Sequence, residues 1–373
     1  MANNKDFIIK NALEVGKDTK TTLGTITSSD VDLSTGNYFA DTLSANTTYT
    51  FSNAGDVQAF QMEVTGSTVP YDISDASYDG KSFSVQTQQG NAQGIFFKSD
   101  GTKLYVSGTS QDTVSEYDLS TAWDISTASH LQDFSVASQE ANVKALFLSP
   151  DGLKMYVMGA SGIDVNEYTL STAWDISTAS YVGVFSISAQ EVTPTGLFFK
   201  SDGTKMYVLG SNGDDVNEYN LSTAWSISTA SYSQNFSVAS QDNEPTDLFF
   251  SSDGTRMVIV GDTNNTVYLY NLSTGWDVST ASFSHSFSVA SQTTTPQAVH
   301  MGSDGDKLYV CGNSYIIYQY STTTTTLTWP SSVEWTAGLA PSAPGFGETD
   351  VYTFVTDDGG TSYVGLQTAD NLS

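Results

Sequence analysis

Ala145-Leu-Phe-Leu-Ser-Pro-Asp-Gly-Leu-Lys-Met-Tyr-Val-Met158 reads as a tight hairpin. The apolar runs Ala145–Leu148 and Met155–Met158 have strand length. Pro150-Asp151-Gly152 supplies the turn, because Gly tolerates positive φ and Asp bonds its own backbone. Val165–Leu170 then alternates apolar and polar residues as a half-exposed third strand should, and Tyr181–Ile187 makes a fourth. Four antiparallel strands with the strongest apolar run innermost are the pattern of a propeller blade.

The Asp-Gly step recurs at Asp100, Asp151, Asp202, Asp253 and Asp304, 51 residues apart each time. Trp123, Trp174, Trp225 and Trp276 keep the same spacing inside segments such as Leu170-Ser-Thr-Ala-Trp-Asp-Ile-Ser177, whereas the fifth copy runs into Thr322–Thr326 instead. Five copies predict five blades. Phe83-Ser84-Val85 has the phase of a fourth strand and precedes the first inner strand, Ile95–Phe97. The last copy supplies Val299–Met301, Lys307–Val310 and Tyr315–Tyr320 but no fourth strand, so the N-terminal strand is expected to complete the fifth blade and close a ring. A linear solenoid is the alternative, since repeat arrays need not close.

Outside the repeats, Asp41–Ser52, Val57–Val64, Val351–Val355 and Ser362–Leu366 carry the β-branched and aromatic residues of strands. Neither flank alone holds enough apolar residues for a core, but the two together suffice for one small domain. A closed propeller brings its ends together and is tolerated as an insertion. The expected fold is therefore all-β, a five-bladed β-propeller inserted into a small β-sandwich. Residues 1–25 form an N-terminal arm, 26–70 and 322–373 the two halves of the sandwich, and 71–321 the propeller.

Val31-Asp-Leu-Ser-Thr-Gly36, Thr48-Tyr-Thr-Phe-Ser-Asn53, Thr328-Trp-Pro-Ser-Ser-Val-Glu-Trp335 and Glu348-Thr-Asp-Val-Tyr-Thr-Phe354 resemble a small β module of bacteriophage virion proteins, especially marine phage tail fibres and related appendages. Asn4-Lys-Asp-Phe-Ile-Ile-Lys-Asn11 is similar to the start of such fibre proteins. The resemblance implies a virion structural protein, tail fibre or capsid decoration, made in the host cytoplasm and partnered by other virion proteins. It also implies a homo-oligomer, trimers being common among such fibres. The repeats, with Ser201-Asp-Gly-Thr-Lys-Met-Tyr-Val208, resemble NHL and YVTN-type propellers, which implies a fold rather than an activity.

Composition excludes several partners. The 373 residues carry 41 acidic against 13 basic side chains, a formal charge of −28, and neither Lys nor Arg follows Lys307. Nucleic acid and anionic membranes both demand clustered cations, so neither is an expected partner. The apolar stretch Phe7-Ile8-Ile9 is too short for a signal peptide or a membrane span. Lys5, Lys10, Lys17 and Lys20 give the N-terminal arm a basic character expected to anchor it to an acidic or oligomeric partner. Cys311, the single cysteine, reads as a small buried hydrophobe.

Catalytic chemistry needs a constellation that is missing here. His130 and His285 fall near fourth strands of different copies, and His300 stands in an inner strand where other copies have Phe, as a packed or hydrogen-bonded histidine would. Glu116, Glu167 and Glu218 recur at one third-strand position, which points to exposed structural residues rather than a single glycosidase centre. No cofactor is expected. Asp214-Asp215 and the Asp-Gly turns leave structural Ca2+ as the one inorganic option, without the spaced donors of an EF-hand. The expectation is a protein that is not an enzyme.

The copies differ most in two sets of loops expected on one face, those entering the inner strands and those joining second to third strands. The expected ligand-binding residues there are Gln93, Lys144, Thr195, Thr246 and Gln297 from the first set. Asp112, Asp164, Asp214, Asp215 and Asn264 come from the second. The favoured reading is a propeller that projects from the particle to attach to the host surface through a glycan. An inert spacer or head-stabilising decoration is the alternative, followed by a polysaccharide-degrading enzyme.

Overall fold

The computed structural model describes residues 23–43, 47–66, 70–312, 315–322, 327–336, 338–341, 343–344 and 348–372. Their contacts divide the chain into two compact units, one spanning Pro70–Thr323 and the other drawn from the sequence on both sides of it. Most of the arm expected at 1–25 lies outside the described residues.

Within the Pro70–Thr323 unit, four-stranded antiparallel sheets stand in a propeller-like arrangement. Val143–Leu148, Lys154–Gly159, Asp164–Leu170 and Ala179–Ser186 form one such sheet in sequence order, inner strand first. Each inner strand runs beside the inner strands of two other sheets, and Pro296–Met301 comes back beside Ala92–Phe97. Lys307–Gly312 and Ile316–Ser321 receive their fourth strand from Ser77–Ser84, with Ile317 opposite Phe83 and Tyr318 opposite Ser82. The phase of the repeat thus identified the strand that completes this sheet.

The third strands depart from expectation. Val165 to Tyr168 are all buried, as are the matching residues of three other sheets, whereas Ile316–Ser321 mixes buried and part-exposed residues. The polar residues of these strands are accordingly paired. Glu116, Glu167 and Glu218, expected to be exposed, are 1%, 4% and 1% accessible. Glu167 Oε1 accepts from Lys154 Nζ at 2.5 Å, while its Oε2 accepts from the Ile227 backbone N–H of the following copy at 3.2 Å. Their role is structural, as recurrence implied, but they act as buried ties between consecutive sheets.

The Asp-Gly turn and the Trp segment recur together because they interlock. Trp174 adopts φ 65°, donates its N–H to the Gly152 carbonyl at 2.9 Å, and lies so close to Gly152 that a Cβ there would fall 2.5 Å from the indole. Gly152 itself has φ 69°, so its lack of a Cβ is needed twice over. The Trp174 carbonyl accepts from Tyr105 of the preceding sheet at 2.7 Å. In the same way Tyr309 of the last sheet reaches Trp123 of the first at 2.6 Å.

The fifth copy has not lost this segment. Tyr71-Asp-Ile-Ser74 supplies it from the N-terminal side: Tyr71 has φ 63° and donates its N–H to Gly305 O at 3.3 Å, as each Trp does to its own glycine. A Cβ on Gly305 would meet Tyr71, and Ile73 is fully buried.

The second unit is also all-β. Its larger sheet runs Val333–Trp335, Tyr363–Leu372, Thr349–Thr356, Gln58–Gly66, Tyr38–Leu43, so three strands from the C-terminal side join two from the N-terminal side where Thr349–Thr356 pairs with Gln58–Gly66. Thr25–Thr27, Asp30–Asp32 and Thr50–Ser52 form a three-stranded sheet, and Thr47–Thr48 pairs with Leu327–Thr328. The single strand expected over Asp41–Ser52 is therefore shared among three sheets. Val31, Phe39, Phe60, Trp329 and Phe354 belong to one buried cluster.

Candidate functional site

The inner strands surround a channel, and residues at matching positions of the repeat form layers along it. Gln93, Lys144, Thr195, Thr246 and Gln297 occupy the second position of the five inner strands. Lys144 Nζ donates to Gln93 Oε1 at 3.2 Å, and Gln93 Nε2 donates to Gln297 Oε1 at 3.1 Å. The sequence-derived set therefore includes three side chains joined in one polar row at the channel mouth. Burial holds the Lys144 ammonium below its usual pKa. The two threonines bond backbone within their own sheets, Thr195 to Leu209 O at 3.4 Å and Thr246 to Val260 O at 3.2 Å.

The loop residues of the set have local partners. Asp112 and Asp214 adopt φ 49° and 47°, and their carbonyls accept from Val136 and Val238 at 2.8 and 2.7 Å, which fixes the turn. Asp164 accepts from Asn166 at 2.8 Å, and Asp215 from Asn217 at 2.6 Å. Asn264 donates to Gln241 O at 3.1 Å. Burial, with Asp215, Asp242 and Glu244 nearby, raises the Asp214 carboxyl above its usual range. No group of three His, Cys, Asp or Glu side chains among the described residues converges to hold a metal ion.

Glu140, Glu191 and Asp242 were not singled out by the sequence reading, although Gln89, Glu140, Glu191, Asp242 and Thr293 share one repeat position. All five are buried in loops of the variable face. Glu140 accepts from the backbone N–H of Asn142, Ser161 and Gly162 at 2.6, 3.1 and 3.1 Å, clamping the two variable loops of its sheet to each other.

Deeper in the channel, Phe96, Phe147, Phe198, Phe249 and His300 form a closed circle of rings. Successive centroids are 5.2, 5.1, 5.3, 5.0 and 5.4 Å apart, with interplanar angles of 68–73° throughout. Edge-to-face packing at this spacing is the favoured aromatic geometry. On the far side of the circle from Gln93, the channel widens into a bowl of about 180 Å³, walled by Trp123, Trp174, Trp276 and Tyr71. Asp247 stands in the narrow part of the channel, where other copies have Gly or Ala, and accepts the N–H groups of Leu248 and Val299 at 2.8 and 2.9 Å. Burial raises its carboxyl well above the usual range.

His300 is 7% accessible, and burial depresses its imidazole to about 3. The unfolded chain therefore binds a proton near the ordinary value of 6.5 that the folded chain refuses until about 3, so stability is complete above 6.5 and falls as pH drops through that window. The slope approaches ~1.4 kcal/mol per pH unit. Urea midpoints of the wild type should fall relative to those of His300→Phe as pH is lowered from 6.5 to 4; parallel profiles would contradict this.

His130 and His285 lie on outer strands, bonded to Asp133 at 3.0 Å and Ser284 at 2.8 Å. Neither belongs to the circle of rings in which His300 stands. Cys311 is fully buried, as expected, and burial pushes its thiol up to about 12.

No family model matches the chain. No curated protein matches it either. Among solved structures, it is similar to a putative 6-phosphogluconolactonase from Bacteroides uniformis ATCC 8492 at 11% identity, covering 75% of this chain and 71% of that one, with a TM-score of 0.38. It is similar to the Myceliophteria thermophila Cps50 (Swd1) β-propeller domain at 13% identity, covering 62% and 83%, with a TM-score of 0.38. Periplasmic gluconolactonase PpgL from Pseudomonas aeruginosa gives 15% identity, 74% and 69% coverage, and a TM-score of 0.37. Likeness at this level carries no argument about activity.

Proposed function

We propose that this chain is a non-enzymatic structural protein of a phage virion, a five-bladed β-propeller inserted into a small β-sandwich. The sandwich docks on other virion proteins, and the propeller attaches to a glycan of the host surface. Support for the setting comes from the flanking segments Val31–Gly36, Thr48–Asn53, Thr328–Trp335 and Glu348–Phe354, which resemble phage appendage modules. A surface of net charge −28 suits a soluble particle component.

The observation that carries the attachment role is the polar row Lys144, Gln93 and Gln297 at the channel mouth. The five copies carry different hydrogen-bonding side chains at this layer. Neutral amide donors and acceptors beside one ammonium suit sugar hydroxyls, which both give and accept hydrogen bonds.

The test compares the full chain with a variant in which Gln93, Lys144 and Gln297 are all replaced by Thr, the residue of the other two copies. Wild type is expected to bind a host-envelope glycan on an array and the variant to lose at least about tenfold, the equivalent of one or two hydrogen bonds. Equal binding by the two would overturn the assignment of this mouth. If the wild type binds no host-envelope preparation, the propeller is a spacer or decoration. Antibody labelling of intact particles checks the virion setting separately.

A further inference from the structure

We infer that the aromatic bowl on the far side of the ring from Gln93 is a second binding site, shaped for one aromatic ring that carries a hydroxyl group, a phenol. This goes beyond the proposed attachment role, because it uses the opposite end of the inner strands. Gln93 and Phe96 are three residues apart on one strand, on the order of 10 Å along the channel.

Size fixes the first part of the inference. An apolar cavity of ~150 Å³ is known to hold a benzene molecule, and the bowl offers about 180 Å³. Rings dominate its walls, Trp123, Trp174, Trp276 and Tyr71 around the circle of Phe96, Phe147, Phe198, Phe249 and His300, with five serines also in the lining. A guest ring meets both faces and edges, the two favoured aromatic contacts. No Lys, Arg, Asp or Glu lines the bowl. A charged guest would lose its hydration without compensation.

His300 supplies the second part. It is the one member of the circle that is not phenylalanine, is more than nine-tenths buried, and lines both the bowl and the narrow channel. It packs against the rings of Phe96, Phe97 and Phe249, and neither ring nitrogen has a hydrogen-bond partner among the described residues. Asp247, the other polar side chain of the narrow part of the channel, is satisfied by two backbone N–H groups. A ring nitrogen with no protein partner that lines an open bowl is left to water, which a ligand hydroxyl can replace. A phenol hydroxyl entering the bowl does so, whereas a plain hydrocarbon ring does not.

The test titrates the full chain with 4-methylphenol and with toluene, its counterpart without the hydroxyl, by calorimetry. Wild type should bind 4-methylphenol saturably and about fivefold more tightly than toluene, as one hydrogen bond implies. His300→Phe restores the residue of the other four copies and should bind both ligands within about twofold of each other. Absence of saturable binding by the wild type would overturn the inference, as would a preference retained in His300→Phe. The Thr-substituted variant of Gln93, Lys144 and Gln297 should bind 4-methylphenol as wild type does, which separates this site from the glycan mouth.

Discussion

Replacing residues 71–84 with a Gly-Ser linker of equal length is expected to abolish cooperative unfolding of the Pro70–Thr323 unit. The exchange removes the buried Tyr71 and Ile73, together with the strand Ser77–Ser84 that pairs with Ile316–Ser321. Truncating two such side chains costs roughly 5–9 kcal/mol. Domain stabilities are only about 5–15 kcal/mol. Tyr71→Ala alone should cost about 3–5 kcal/mol, in line with other large aromatic truncations. Urea denaturation followed by circular dichroism reads both changes. A linker variant within about 1 kcal/mol of wild type would show that the segment contributes no more than an ordinary surface exchange.

Glu218→Ala is the second large effect. The buried carboxylate receives Lys205 Nζ at 2.6 Å, Gln234 Nε2 at 3.1 Å and the Val278 backbone N–H at 3.3 Å. Removing one partner of a buried pair costs about 3–5 kcal/mol, because the other charge stays behind. Lys205 is about a quarter accessible and also bonds Trp276 O at 2.9 Å, so the lower end, ~3 kcal/mol, is expected. Glu218→Gln keeps an acceptor for Val278 and should lose less. The two urea midpoints decide this, and an alanine variant as stable as the glutamine variant would refute the tie.

Regular spacing made the sheets legible, since the Asp-Gly steps and the tryptophans recur without drift and each has a direct physical reason to repeat. Where the spacing slips by one residue, the reading failed. Tyr71-Asp-Ile-Ser-Asp-Ala-Ser77 closely matches Trp123-Asp-Ile-Ser-Thr-Ala-Ser129, yet it stands 52 residues earlier and begins with Tyr. A search for tryptophan therefore passes over it. Gln319 is similar: it does the work of Glu116 by accepting from Ile125 N–H at 2.9 Å, but it is displaced by one residue relative to the other copies.

Alternation misled for a different reason. Glu116 and its equivalents look exposed because a charged residue in a strand usually faces water, and sequence does not show that Lys103, on the neighbouring strand, stands ready to pair with it. At the candidate site, Gln93, Lys144 and Gln297 were legible as variation within a repeat. The circle of phenylalanines was not, since identical residues carry no contrast and only His300 breaks the series. Asp247, the single polar residue in a layer of Gly and Ala, was passed over although that contrast stands in the sequence; its burial does not.

Both mouths of the channel depend on the repeats closing into a ring through Ser77–Ser84. The most direct test places cysteines at Ser82 and Tyr318, residues opposite each other across that junction. Paired strands bring Cα atoms within the ~4.4–6.8 Å that a disulfide requires. Cys311, the native cysteine, is fully buried. On mild oxidation of the folded Ser82→Cys/Tyr318→Cys chain, the account predicts near-complete intramolecular crosslinking with unchanged circular dichroism. Two free thiols, or crosslinks only between molecules, would mean an open array and contradict it.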